Sequence, residues 1–77
     1  MDKIQFNAWA QRHGLTIDEA AIVLGMSRAN AFKYANGTRP VALYVEYAAE
    51  AIDLLSKKES LKLIQKRLAK SLKETNI

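Results

Sequence analysis

The sequence predicts an all-α fold, a compact bundle of about five helices, on three observations. Apolar residues recur every three to four positions along the chain, and no stretch alternates as a half-buried strand would. The three glycines and the single proline stand where such helices would end or begin. Polar residues able to cap a helix precede the apolar runs. With 77 residues, 49% of them hydrophobic and 26% charged, the chain is one small domain rather than a disordered segment. A core of that size is marginal, so a partner surface can add to its stability.

The first helix is expected over about 3–13, with Phe6, Trp9, Ala10 and His13 on one face and Gly14 at its end. "TIDE" is a Thr-x-x-Glu capping box, in which Thr16 accepts from the Glu19 amide and Glu19 reaches back to Thr16. It opens a second helix over about 17–24, with Ala20, Ala21 and Leu24 inward. Gly25 supplies the positive φ of a turn. Ser27 caps a third helix over about 28–36, which Asn36-Gly37 closes. A fourth helix is expected from near Pro40 to about Ser56. It carries one apolar face through Val41, Tyr44, Val45, Ala48, Ile52 and Leu55, and a second through Leu43, Tyr47, Ala51 and Leu54, so it needs cover on two sides. The fifth, over about 59–73, carries Leu61, Ile64, Leu68 and Leu72 beside a stripe of Lys62, Lys66, Lys70 and Lys73. Only "SKKES" separates the last two helices, which form either a hairpin or one long helix. The chain divides at 1–56, the body of the domain, and 57–77, a basic amphipathic helix for packing or dimerisation.

Charge is unevenly distributed. Residues 1–40 carry five Lys/Arg against three Asp/Glu, residues 41–56 three acids and no base, and residues 57–77 seven bases against two acids. A basic domain of net charge +4 with a local acidic stripe suits a polyanionic partner. Absence of cysteine excludes disulfides and thiolate metal sites and fits a reducing compartment. The longest apolar run, "VALYV", is too short for a bilayer, and "MDKIQFNAWA" has no apolar signal core, so a cytoplasmic protein without membrane association is expected. His13, the sole histidine, shares a face with Phe6 and Trp9 and reads as a packing residue. Glu46, Glu50 and Asp53 read as a solvated stripe, since Ca²⁺ sites draw their oxygens from a loop. There is no glycine-rich phosphate loop. These features point away from an enzyme, a cofactor, a metal or a small-molecule ligand.

Two short helices joined by a glycine turn, the second of them capped, match the DNA-binding helix-turn-helix. With Ile17 as its first residue, small Ala21 falls fifth, where the helices approach closely, and Gly25 falls ninth, in the turn. Ala20, Leu24, Met26, Ala31 and Tyr34 take the inward positions. The stretch "GLTIDEAAIVLGMSRANAFKYANGTRP" resembles the Cro/phage-repressor (XRE-type) helix-turn-helix family in its Leu-Thr, Glu-Ala-Ala, Leu-Gly-aliphatic-Ser-Arg, Tyr, Gly and Arg-Pro positions. The resemblance covers about residues 4–56 and leaves the fifth helix outside it. It implies a lambda-repressor-like bundle and a double-stranded DNA partner.

On the third helix Ser27, Arg28, Ala29, Phe32 and Lys33 face outward as base readers, because the major groove admits a helix and shows each base pair by a distinct edge. Arg28 can reach guanine N7 and O6. Ala29 and Phe32 depart from the polar residues common in the family and suit thymine methyls. Thr16, at a helix N-terminus, and Asn36, Thr38 and Arg39, just past the recognition helix, are candidates for phosphate contacts. Leu43, Tyr47, Leu54, Leu61, Ile64 and Leu68 are the expected homodimer surface, since one helix-turn-helix reads only half a palindromic operator. The resulting expectation is a transcriptional regulator, a repressor of the phage or mobile-element kind. The competing reading is an adaptor or antitoxin-type protein-interaction domain with little DNA binding.

Overall fold

Cap chemistry sets most of the helix ends. A computed structural model describes residues 1–75, with side chains through Leu72, so the Lys73 side chain of the lysine stripe lies outside the described residues. Asp2 opens α1 (Lys3–Arg12) with a capping box not anticipated from the sequence: its Oδ1 accepts from the Gln5 amide at 2.8 Å, and its own N–H donates to Gln5 Oε1 at 2.9 Å. The expected box opens α2 (Ile17–Leu24), with Glu19 N–H donating to Thr16 Oγ1 at 3.2 Å and Thr16 N–H to Glu19 Oε1 at 2.9 Å. Gly25 ends α2 at φ +74°, a conformation that costs a residue with a Cβ about 1–2 kcal/mol. Ser27 Oγ accepts from the Asn30 amide at 3.1 Å to start α3 (Arg28–Asn36).

The fourth helix departs from expectation. α4 runs Leu43–Asp53, shorter at both ends than the span read from the sequence. Pro40 does not begin it; Ala42 is its N-cap, in extended conformation and with no side-chain cap. Val41 and Ala42 instead dock on the core as part of an extended segment, which gains burial that a longer helix would forgo. Leu54–Ser56 then break the chain direction, and α5 packs on α2, so the last two helices form neither one long helix nor a packed hairpin. Ser56 starts α5 (Lys57–Thr75), accepting from the Glu59 amide at 3.1 Å while its hydroxyl donates to Glu59 Oε1 at 2.9 Å.

All five elements are helical, with no strand among the described residues. α2 lies at the centre and packs against each of the other four helices. Its Ala20, Ala21, Val23 and Leu24 are buried, together with Phe6, Trp9 and Ala10 of α1, Ala31 and Tyr34 of α3, and Val45, Ala49 and Ile52 of α4. α5 joins the same core through Ile64, with Leu63 and Leu68 beside it, and packs against α2 rather than capping the second face of α4. The inward stripe of α5 is therefore Ser60, Leu63, Ile64 and Leu68, whereas Leu61 and Leu72 point to solvent. This corrects two of the expected dimer residues. Ile64 is 5% exposed and so is not free to meet a second copy, and Leu68, half-buried against its own core, offers only part of its surface.

α1 and α4 are tied by polar bonds around Asp53. Trp9 Nε1–H donates to the Ala49 carbonyl at 3.2 Å and to Asp53 Oδ1 at 3.1 Å, and His13 Nε2 lies 2.8 Å from the same oxygen. Arg12 donates to Asp53 Oδ2 at 2.8 Å. His13 also packs on Trp9 with ring centres 4.7 Å apart and the planes tilted by 50°, the packing role read from its face. At the other end of α1 the Met1 amino group pairs with Glu46. The acids of α4 thus do unequal work, against the expectation of a uniformly solvated stripe. Asp53→Ala is expected to cost about 1–2 kcal/mol in urea unfolding, the loss of hydrogen bonds to a buried indole and a mostly buried imidazole. Glu50→Ala, on the same stripe but with an exposed side chain and no bond, should change stability by less than about 0.5 kcal/mol. Equal effects in the two variants would contradict the clamp.

Candidate nucleic-acid interface

The face in question is built by the α2–α3 corner. Ala20, Ala21 and Ala31 are buried where the two helices meet, and small side chains there let the helix axes approach closely. The turn is closed by the Met26 amide donating to the Ala21 carbonyl at 3.0 Å. Tyr34 anchors the far end of α3, its ring edge-on to Phe6 at 5.8 Å and 74°. Asn7 adds a strut from α1, its Nδ2 donating to the Ala35 carbonyl at 2.8 Å. With Ala31 and Tyr34 fixed inward, Ser27, Arg28, Ala29, Phe32 and Lys33 are all exposed on the remaining sides of α3. No Asp or Glu occurs between Ala20 and Val45, so Arg28, Lys33 and Arg39 make this face positive.

Arg28 is held on two sides. Its Nε lies 2.5 Å from Asp18 Oδ1 of α2, and its guanidinium carbon stands 5.7 Å from the centre of the Phe32 ring one turn along. Phe32 is 41% exposed and so presents part of its ring outward rather than filling the core. Lys33 projects without a side-chain bond.

The residues read as phosphate contacts are exposed, but each has an internal duty. Thr16 accepts the Glu19 amide, and Asp18 and Glu19 place two acids in the first turn of α2, which opposes an anion at that helix end. Asn36 Oδ1 accepts from both the backbone N–H and the hydroxyl of Thr38, at 2.9 and 2.5 Å. Arg39 Nη1 donates to Asn30 Oδ1 at 3.0 Å, which braces the exit of α3, and the other guanidinium nitrogens make no hydrogen bond within the protein. Asn30 and Asp18 were not singled out by sequence reasoning. Each partners an arginine nine or ten residues away, a spacing that no helical periodicity links.

Away from this face, Leu43 and Tyr47 of α4, Leu54 just past its end and Leu61 of α5 are exposed, Leu54 at 87%. Ala51 lies between Tyr47 and Leu54 on the same exposed stripe. Among the described residues no group of three or more His, Cys, Asp or Glu could hold a metal ion. No helix among them is long and apolar enough to cross a membrane. Compared with known proteins, the chain matches no family model, no curated protein and no solved structure.

The Arg39–Asn30 bond is open to a double-mutant cycle. Arg39→Ala, Asn30→Ala and the pair are expected to show a coupling of about 0.5–1 kcal/mol in thermal unfolding, in keeping with an exposed pair. Zero coupling would leave Arg39 without a bracing role.

Proposed function

We propose that this chain is a sequence-specific double-stranded DNA-binding regulator of transcription, a repressor of the phage or mobile-element kind that works as a homodimer. One observation carries the reading: a short helix, fixed against α2 by alanines, presents Ser27, Arg28, Ala29, Phe32 and Lys33 on an outward face whose one acidic contact is Asp18 against Arg28. A helix of that size fits the major groove, and these side chains supply the contacts that distinguish bases there. Arg28 offers two parallel N–H donors to guanine O6 and N7. Ala29 and Phe32 offer apolar contact to thymine methyls. Lys33 donates to a base edge or a phosphate. Arg39 and the Asn36 amide nitrogen hold the flanking backbone, which sets register without reading sequence; the Thr38 hydroxyl is engaged by Asn36, and the acids beside Thr16 disfavour a phosphate there. Bound over a promoter, such a protein represses by occupying the site that transcription needs.

A single recognition helix reads too few base pairs to specify a genomic site, which favours two copies. The exposed stripe of Leu43, Tyr47 and Leu54, with the exposed Leu61 of α5, is the surface for that contact. A two-fold dimer would set the recognition helices about 34 Å apart, one turn of DNA. The same stripe favours a second reading, an adaptor whose main business is protein contact. Its large apolar side chains are more exposed than Phe32, the one large apolar group on the α3 face.

Binding to duplex DNA as a function of salt separates the two readings. Phosphate contacts make affinity fall steeply with salt, whereas an apolar protein contact is nearly insensitive. Arg28→Ala is expected to weaken the preferred duplex by about 1–3 kcal/mol and a random duplex far less. Arg39→Ala should weaken both alike and make the salt slope shallower by about one unit. No loss in either Arg28→Ala or Lys33→Ala would remove α3 as the reader. For assembly, sedimentation at micromolar concentration should give a dimer that Leu54→Lys converts to a folded monomer of much lower operator affinity. A wild-type monomer bound to one non-palindromic half-site would overturn the dimer.

A further inference from the structure

Asp18 is out of place on a surface that approaches phosphates. Every acidic neighbour of such a face lowers affinity by repulsion, and residues 20–45 contain none. Glu19, next to it, is accounted for by capping Thr16. Asp18 makes no capping bond. Its Oδ1 is shielded from solvent, accepts no hydrogen bond, and meets Arg28 only as an ionic contact, 2.5 Å from Nε.

The atom of Arg28 that it meets matters. A guanidinium carries five N–H donors: one on Nε and two on each terminal nitrogen. An ionic contact at Nε occupies the side of the group and leaves the Nη1–Nη2 edge, which carries no bond within the protein. That distal edge supplies two parallel donors to guanine O6 and N7. The Phe32 ring, with the guanidinium carbon 5.7 Å from its centre, restrains the same group from a second side. Arg28 therefore has its side chain turned and steadied from its own helix and from α2, while three-quarters of its surface remains exposed.

We propose that Asp18 is a specificity-determining positioning residue: its carboxylate orients Arg28 so that the terminal nitrogens read guanine instead of wandering to a phosphate. The inference rests on the DNA-binding reading above. It assigns a cost and a return to one acid. Asp18 sacrifices sequence-independent affinity, because it neutralises Arg28 and faces the DNA backbone. In return it converts a mobile cation, which would hold any phosphate, into a donor pair of fixed direction. An arginine without such a buttress loses more side-chain freedom on binding and chooses among more acceptors.

The test is selection from a pool of duplexes with a randomised core, using the full chain, with sequencing of the bound fraction. The position read by Arg28 is the one whose guanine preference disappears in Arg28→Ala. Asp18→Ala and Asp18→Asn should each lower the guanine preference at that same position by about fivefold or more, with other positions held within about twofold. Their affinity for the unselected pool should rise or stay level, because an acid has been removed from the DNA side. A merely structural Asp18, serving only the positive end of α2, would lower the melting temperature and weaken all sequences together. That pattern, or retention of the guanine preference in both variants, overturns the proposal. If the wild-type chain enriches no sequence at all, the DNA-binding reading falls and takes this inference with it. Enrichment that Asp18 variants leave unaltered removes the inference alone.

Discussion

Everything in this molecule is arranged around the small side chains of α2. An eight-residue helix that touches all four others buries Ala20, Ala21, Val23 and Leu24 and leaves only Asp18, Glu19 and Ile22 toward solvent, and the small Ala20 and Ala21 suit so close an approach of its neighbours. A leucine at either position would push α3 off by more than a methylene, and overpacking of that sort costs about 1–3 kcal/mol in a well-packed core. The displacement matters beyond stability. The direction of α3 follows from three things: its contact with α2, the left-handed Gly25 turn, and the Tyr34–Phe6 anchor at its other end. Change the first and the outward set from Ser27 to Lys33 is re-aimed.

The charges are sorted in the same way. Acids of α4 are spent on α1, with Asp53 serving Trp9, Arg12 and His13, and Glu46 serving the Met1 amino group. Glu50 stays unpaired, and the α3 side of the molecule has no acids apart from Asp18 and Glu19 at the start of α2, since residues 20–45 contain none. One of those two completes a helix cap and the other meets Arg28. The positive α3 face and the apolar α4 stripe lie on different elements, so the nucleic acid and the second copy proposed above would not compete for the same residues.

Much of this was legible in the sequence where the controlling interactions are local. The ends of α2 and α3 follow from Thr16-x-x-Glu19, Ser27 and two glycines, and the inward register of Ala20, Ala21, Leu24, Ala31 and Tyr34 follows from helical spacing. Where the outcome depends on distant partners, local rules fall short. Pro40 is a good first residue for a helix, yet docking of Val41 and Ala42 on the core delays α4 to Leu43. In α5, leucines at 61, 63, 68 and 72 and Ile64 offer more than one apolar stripe, and only the presence of α2 selects Leu63, Ile64 and Leu68. Ser56-x-x-Glu59 is a cap signal that could have placed the start of α5. The Asp18–Arg28 and Asn30–Arg39 pairs had no local signature, because each exists only once the corner and the exit of α3 are folded.

The central claim is that the outward face of α3, and not the apolar stripe of α4, meets the DNA. Amide chemical-shift mapping of the labelled protein during titration with a short duplex tests it most directly. The account predicts shifts concentrated on Ser27–Lys33 and Thr38–Arg39, with Ala48–Leu54 unmoved at constant oligomeric state. Shifts concentrated on α4, or none anywhere at low salt, would contradict it.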